Sequence, residues 1–556
     1  MKRIFISIVS LTLVFAMMPM RTNAQNDRNG NYDVARNLEI FSAIYKNLDM
    51  MYVDSLNASD VIGTGIRTML RSLDPYTEYY APEDVKNLKQ MLTGKYAGIG
   101  SLVKKNMKTG NVIIDEPYEG QPAQEVGLKK GDEILSIDDS TMVGKDVSYV
   151  SSHLRGDAGS TFMLKIKRPT TGKVMTMKIT RRAIQLPALP YYGMVSDGVG
   201  YINLNSFTDD CSKDVRRAVV ELRQQGMKGL LFDLRNNGGG SLQEAVKIVN
   251  MFVPKGITLV TTKGKMKRAN REYTTTQEPI DTLMPICVLV NGNTASASEI
   301  TAGSLQDLDR AVVFGTRTFG KGLVQLPMDL PHNASMKLTT SKYYIPSGRC
   351  IQAINYKAGG YREHIPDSLT HVFYTRCGRE VRDGGGIKPD VVLEPDSMPN
   401  IVYYLSATGL DSTEVVNDWE VAYVASHPTI AQPSEFHITD AEWADFKDHV
   451  LKSGFKYDRE TSKVYDDLVK MAKFEGYYDD AKVEFEALKT KLNHNLESDL
   501  ERNSKMIREM LESDIVSCYY YQGGTIAYQN GYDKQIKEAS RLVLSGEEYS
   551  SLLRKK

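Results

Sequence analysis

The sequence predicts a multidomain α+β protein, and three observations carry that reading. Hydrophobic residues recur at helical spacing near the amino terminus and again beyond about residue 395. Short β-type runs fill the stretch from 92 to 183, and hydrophobic strands alternate with amphipathic helices from 184 to 395. With 556 residues, 41% of them hydrophobic, the chain can bury the cores of three or four domains.

Residues 1–24 read as an export signal: Lys2 and Arg3, an apolar run from Ile4 to Met18, and the small-residue cleavage site Thr22-Asn-Ala24, so that the mature chain starts at Gln25. The apolar run is shorter than the roughly 20 residues that span a bilayer, which argues against a transmembrane anchor. The bacterial style of the signal predicts the periplasm, with membrane association left open. Residues 25–91 form a helical segment, with Leu38, Ile40, Phe41, Ile44 and Leu48 spaced three or four apart.

Residues 92–183 then form a β-rich module in which Val112-Ile-Ile114, Ile134-Leu-Ser-Ile137 and Phe162-Met-Leu-Lys-Ile166 are strands separated by glycine turns. Residues 184–395 make an α/β core, because Val199–Leu204, Gly229–Leu234 and Ile286–Val290 alternate with the helical stretches Cys211–Gln225 and Leu242–Val253. Residues 396–556 are a helical appendage, with Phe485, Leu488, Leu492, Leu496 and Leu500 as its apolar seam.

Lys+Arg and Asp+Glu both number 69, so net charge gives no reason to expect nucleic acid as a partner. Eight scattered histidines form no metal-spaced cluster, and neither metal nor cofactor is expected. Cys211, Cys287, Cys350, Cys377 and Cys518 are too few for a disulfide scaffold. A pair between Cys350 and Cys377 stays open, with free thiols the default.

Two motifs carry chemistry. Asn291-Gly-Asn-Thr-Ala-Ser-Ala-Ser-Glu-Ile300 brings serines to a helix start, and Thr318-Phe-Gly-Lys-Gly-Leu-Val-Gln325 follows with a glycine-flanked lysine. A serine hydroxyl becomes a nucleophile when a base takes its proton, and lysine is such a base only when burial lowers its pKa from about 10.4 toward neutrality. Spacing alone leaves Ser298 as a rival to Ser296. Phe232-Asp-Leu-Arg-Asn-Asn-Gly-Gly-Gly240 runs from a strand into a helix start, where backbone N–H groups gather and would stabilise an oxyanion.

In this order the motifs resemble those of the carboxyl-terminal processing, or tail-specific, proteases. Leu73–Asp84, Tyr343–Arg349 and Gly385–Asp390 match the same family, and the likeness spans roughly residues 35–395. The resemblance implies a crotonase-like α/β serine protease core with Ser296 as nucleophile, Lys321 as base and Gln325 orienting the lysine. It also implies oxyanion donors from the backbone of Gly239 and Ala297. Glu299 is expected to serve a helix start or a packing pair, since a carboxylate touching the lysine ammonium would raise its pKa.

Pro122–Asp138 resembles the hallmark of PDZ domains, which add a peptide tail as a strand to a sheet edge. By that likeness Ala97, Gly98, Ile99 and Gly100 hold the tail carboxylate, and Arg155 couples the module to the protease. The expected protein is therefore an exported endopeptidase acting on proteins with free carboxyl-terminal tails, without a cofactor. The alternatives are a catalytically silent PDZ scaffold and a trimmer of short peptides that makes no use of its PDZ module. The C-terminal helices could pack on the core, dimerise, or hold an adaptor.

Overall fold

The computed structural model describes residues 25–85, 88, 95–355, 363–395, 397–407, 409–492 and 495–554; the expected export signal lies outside the described residues. The chain divides into two units, one ending at Leu70 and the other starting at Arg71. The first contains the helix Gln25–Met51 and nearly all of Ala58–Arg71. The stripe Leu38, Ile40, Phe41, Ile44 and Leu48 is exposed.

Within the expected helical segment, helix gives way after Arg71 to a turn and a short strand, and Val85 and Leu88 are again helical. Asp74 accepts hydrogen bonds from the Tyr76 N–H at 2.8 Å, the Thr77 N–H at 2.7 Å and the Thr77 hydroxyl at 2.8 Å, a local turn that competes with helix. Glu78–Tyr80 then becomes a strand, antiparallel to Ser335–Tyr344.

The β-rich module is a sheet in the order Ser101–Lys105, Val112–Pro117, Glu133–Ile137, Thr161–Lys167, Val174–Thr180, with Ser140–Thr141 beside Glu133–Ile137. The strict alternation of buried and exposed residues along Thr161–Lys167 shows why this segment is a strand with one face on a core. Ser101–Lys105 is an edge strand, and the helix Val147–Leu154 packs beside it. A separate pairing of Lys95–Gly98 with Arg182–Gln185 closes the base of the module across the expected boundary at 183/184.

The core sheet runs Tyr191–Ser196, Val199–Asn203, Gly229–Asp233, Ile286–Val290, Val312–Gly315, Val391–Val392. The first pair is antiparallel and the rest are parallel. Four of these strands are buried along their whole length, as parallel strands covered on both faces must be. One face packs on Cys211–Gln224, Leu242–Val249 and Ala297–Asp307 through Val215, Val219, Ile248, Ile300 and Leu305. The other face is covered by Ile536, Ala539, Leu542, Val543 and Tyr549. The appendage thus supplies the second helical layer of the core.

A second sheet joins Glu78–Tyr80, Ser335–Tyr344, Thr258–Lys263 and Arg271–Thr274, with Leu323–Asp329 paired to Ser335–Tyr344. The helical domain has its own core around Trp419, Trp443, Phe446, Leu511 and Ile515. The residues at helical spacing from Phe485 to Leu500 fall in two helices: Lys482–Leu492 buries nothing, whereas Leu500 lies buried in Leu496–Arg502. All five cysteines are free thiols.

The helical domain also grips the β-rich module. Lys130, from the hallmark turn of that module, pairs with Glu420 at 2.8 Å, and both side chains are almost wholly buried. Glu420→Ala leaves a buried ammonium without its partner and is expected to destabilise the protein by about 3–5 kcal/mol. Thermal unfolding of the two forms at pH 7 checks this, and an unchanged midpoint would show that the pair carries no such weight.

Candidate functional site

Ser296 begins the helix Ala297–Asp307, after the strand Ile286–Val290 has delivered the chain to the edge of the core. Its φ of 58° and ψ of −116° are rarely adopted by a side chain with a Cβ, a strain of about 1–3 kcal/mol. The side chain is partly exposed. Ser298, the rival from spacing, is fully buried and its hydroxyl donates to the Asn237 carbonyl at 2.9 Å.

Lys321 lies just before the strand Leu323–Asp329. The element that joins it to Ser296 is the carboxylate of Glu299, which has no exposed surface. Its Oε2 accepts from the Ser296 N–H and from the Lys321 N–H, each at 2.9 Å. Its Oε1 accepts from the Gly320 N–H at 2.7 Å and the Thr318 hydroxyl at 2.5 Å. From the other side, the buried Tyr343 hydroxyl reaches the Lys321 carbonyl at 2.6 Å and the Ser296 carbonyl at 3.3 Å. The two segments are therefore clamped together through their backbones, with neither the Ser296 hydroxyl nor the Lys321 ammonium used in the clamp.

The expectation that Glu299 serves the helix start holds, and its contact with Lys321 is to the amide, not the ammonium. Burial pushes its carboxyl up to about 7, against the hydrogen bonds donated by Thr318, Lys321, Gly320 and Ser296. Lys321 is lowered to about 8, first by burial and then by the nearby Lys337 charge, with Glu299, Glu78 and Asp74 opposing. Its Nζ lies 4.7 Å from the centre of the Tyr76 ring, a contact that also favours the cation. Burial prevails.

Gln325 stands on the same strand, but its amide nitrogen donates to the Thr339 hydroxyl at 3.1 Å. Thr339 donates in turn to Asp74 at 3.2 Å. The expected bond from Gln325 to the Lys321 nitrogen is thus replaced by an anchor to the neighbouring strand, because Thr339 is its cross-strand partner.

The glycine turn does meet the serine turn. Gly239 has φ of 97°, and a Cβ there would lie 2.8 Å from Ser296 Cβ and 2.8 Å from the Ala297 nitrogen, so only glycine fits. The Asn237 carbonyl accepts from the Ala295 N–H at 3.0 Å as well as from Ser298. The Gly239 N–H itself donates to Asn237 Oδ1 at 2.9 Å, so it is not free in this state. The Ala297 N–H, in the first helical turn, has no partner among the described residues.

In the β-rich module, Ala97 and Gly98 end the strand Lys95–Gly98, and Ile99 and Gly100 connect it to the edge strand Ser101–Lys105. Ile99 is buried in the module core. Gly100 has φ of 69°, and a Cβ would strike Gln121 at 2.4 Å. Arg155, at the end of the helix Val147–Leu154, lies over the Tyr96 ring at 5.4 Å, beside the same loop. Sequence reasoning gave no role to Tyr76 and Tyr343. Both fall inside the quoted motifs, yet nothing in residue spacing shows that they would reach Lys321.

A profile of Peptidase family S41 matches residues 198–359, a PDZ domain profile matches 113–168, and one described as "Probable PDZ-protease, C-terminal helical domain" matches 406–543. The chain is 32% identical over 354 residues to the carboxy-terminal-processing protease of Bartonella bacilliformis, covering 63% of this chain and 80% of that protein. It is 30% identical over 352 residues to a "Probable CtpA-like serine protease" of Staphylococcus epidermidis, covering 63% and 70%. Among solved structures, the photosystem II D1 C-terminal processing protease is 26% identical with a TM-score of 0.36, covering 66% of this chain and 92% of that one.

The fall of the Lys321 pKa from 10.5 to about 8 corresponds to about 3 kcal/mol of preference for the neutral form. Below pH 8 the folded protein carries this lysine charged at full cost, and the cost fades as pH rises from about 8 to 10.5. Lys321→Met should therefore raise the free energy of unfolding at pH 7 by up to about 3 kcal/mol and give little gain at pH 10.5. Denaturant titrations at the two pH values check the direction, and a loss of stability at pH 7 would refute it.

Proposed function

The chain belongs to the carboxy-terminal-processing proteases, PDZ-containing serine peptidases of family S41, and we propose that Ser296 and Lys321 are its nucleophile and general base. The observation that carries this reading is the shared Glu299 carboxylate, which ties the backbone of a strained serine to that of a half-buried lysine whose pKa is lowered to about 8. Neutral Lys321 takes the Ser296 proton as the oxygen attacks a peptide carbonyl. The resulting ammonium then protonates the departing amine, and water releases the acyl-enzyme.

The Ala297 N–H is aimed from the helix start and serves as the first oxyanion donor, where loss of one donor costs about 3–4 kcal/mol in the barrier. Gly239 is the second, on condition that its N–H exchanges Asn237 Oδ1 for the oxyanion. Gln325 orients Lys321 if its amide turns away from Thr339 as substrate arrives. The β-rich module binds the substrate tail as an added strand on Ser101–Lys105, with its carboxylate at Ala97, Gly98, Ile99 and Gly100. Arg155 relays that occupancy to the protease.

Residues 1–24 act as an export signal and deliver the enzyme to the periplasm. An adaptor or a second copy would use helices left outside the core packing, such as Lys482–Leu492. No observation favours a silent scaffold.

The test is cleavage of an unfolded reporter with an apolar free tail by residues 25–556. Ser296→Ala and Lys321→Ala should each lower turnover roughly a thousandfold or more, and an amidated tail should be cut more slowly than the free acid. Wild-type turnover should rise with pH through a midpoint near 8, as Lys321 loses its proton. Cleavage surviving in Ser296→Ala would remove the assignment.

A further inference from the structure

We propose that Asp533, in the C-terminal helical domain, is a positioning residue for the protease site, acting through Arg235 on the glycine turn. The inference rests on the Ser296–Lys321 reading above.

Arg235 immediately precedes the turn Asn236–Gly240, and its guanidinium is held on two sides. Toward the core, Nε donates to both Asp233 oxygens at 3.0 and 3.1 Å, and a terminal nitrogen reaches Asp233 Oδ2 at 2.6 Å. Tyr201 donates its hydroxyl to the same Asp233 oxygen at 2.7 Å. Toward the helical domain, the other terminal nitrogen donates to Asp533 Oδ2 at 2.7 Å and Gln535 Oε1 at 3.0 Å. Asp533 is itself fixed, because its Oδ1 caps the helix Lys534–Val543 by accepting from the Gln535 and Ile536 N–H groups.

Beyond Arg235 the contacts lead straight to the nucleophile. The Asn236 N–H donates to Asn291 Oδ1 at 3.0 Å, and Asn236 Oδ1 accepts from Asn291 and Asn293 at 2.9 and 3.0 Å. Asn237 holds Ala295, and Gly239 lies against Ser296. The glycine turn and the serine turn thus move as one piece, and Arg235 is the point where the helical domain grasps that piece. Asp233 already neutralises Arg235 and orients its guanidinium, so what Asp533 adds is the tie of that guanidinium to the helical domain.

Apolar packing through Ile536, Ala539 and Leu542 fastens the helix Lys534–Val543 to the sheet, whereas the link to the glycine turn itself is polar. A cavity of about 600 Å³ lies along this seam, lined by Arg235, Asn236, Asn291, Met506, Tyr532 and Asp533. The charge-assisted bonds cross where the two surfaces are not filled against each other, and such bonds give direction as well as energy. A small misplacement of catalytic groups can cost up to about a hundredfold in rate.

The experiment uses residues 25–556 and the free-tail reporter. Asp533→Ala should lower kcat about tenfold with KM changed less than twofold, and Asp533→Glu should recover most of the loss. Asp533→Asn keeps the volume and serves if the alanine form does not fold. Leu542→Ala, in the same helix and buried against the sheet, separates general loosening from positioning: it should lower Tm but leave kcat intact well below Tm. Folded Asp533→Ala or Asp533→Asn with wild-type kcat, or an equal kcat loss in Leu542→Ala, overturns the proposal. Inactivity of the wild type, or activity in Ser296→Ala, would instead strike the underlying assignment.

Discussion

The arrangement of this protein turns on one buried carboxylate. Glu299 accepts from Ser296, Thr318, Gly320 and Lys321, which come from two segments separated by a strand and a helix, and it has no exposed surface. An acceptor so placed cannot be left half satisfied without the full cost of a buried polar group. The helix start and the glycine loop must therefore stay in register. Tyr343 repeats the link from the opposite side through two carbonyls. The strain at Ser296 is held in place by this cradle rather than relaxed by it.

The same cradle explains how a lysine pKa can fall although an acid lies nearby. Glu299 spends its lone pairs on amides and a hydroxyl, so it touches the Lys321 backbone and not the ammonium. Burial and Lys337 then lower the lysine to about 8, and the acid's opposing field is a lesser effect. A lysine so placed is charged at a cost to stability, a trade common at sites that do chemistry and in keeping with the role proposed for it.

A second constraint is the sheet itself. Parallel strands need both faces covered, and the α/β core provides helices for only one. The other face is closed by Ile536, Ala539, Leu542 and Val543 from the far end of the chain. The helical domain is therefore part of the protease fold, and through Lys130 and Glu420 it is also bonded to the PDZ module. One domain touches both the module proposed to read the tail and the turn proposed to hold the oxyanion.

Much of this was legible in the sequence because it is local. Hydrophobic period separated strands from helices and located the core strands to within a residue or two, and the strands of the β-rich module nearly as well. The motifs around Ser296, Lys321 and Gly239 drew attention to turns that the fold brings together, since glycine and small residues are required where backbones approach. The helical segment is interrupted after Arg71, where the Asp74 turn outweighs propensity. The helical spacing from Phe485 to Leu500 is present, but spacing alone does not reveal that it is shared between two helices. Tertiary structure alone decided that Ser298 is buried and bonded, that Gln325 rests on Thr339, that Tyr76 and Tyr343 surround Lys321, and that the last helices cover the sheet. Each of these depends on contacts between residues far apart in the chain, and no periodicity or motif encodes which distant surface will be there to meet them.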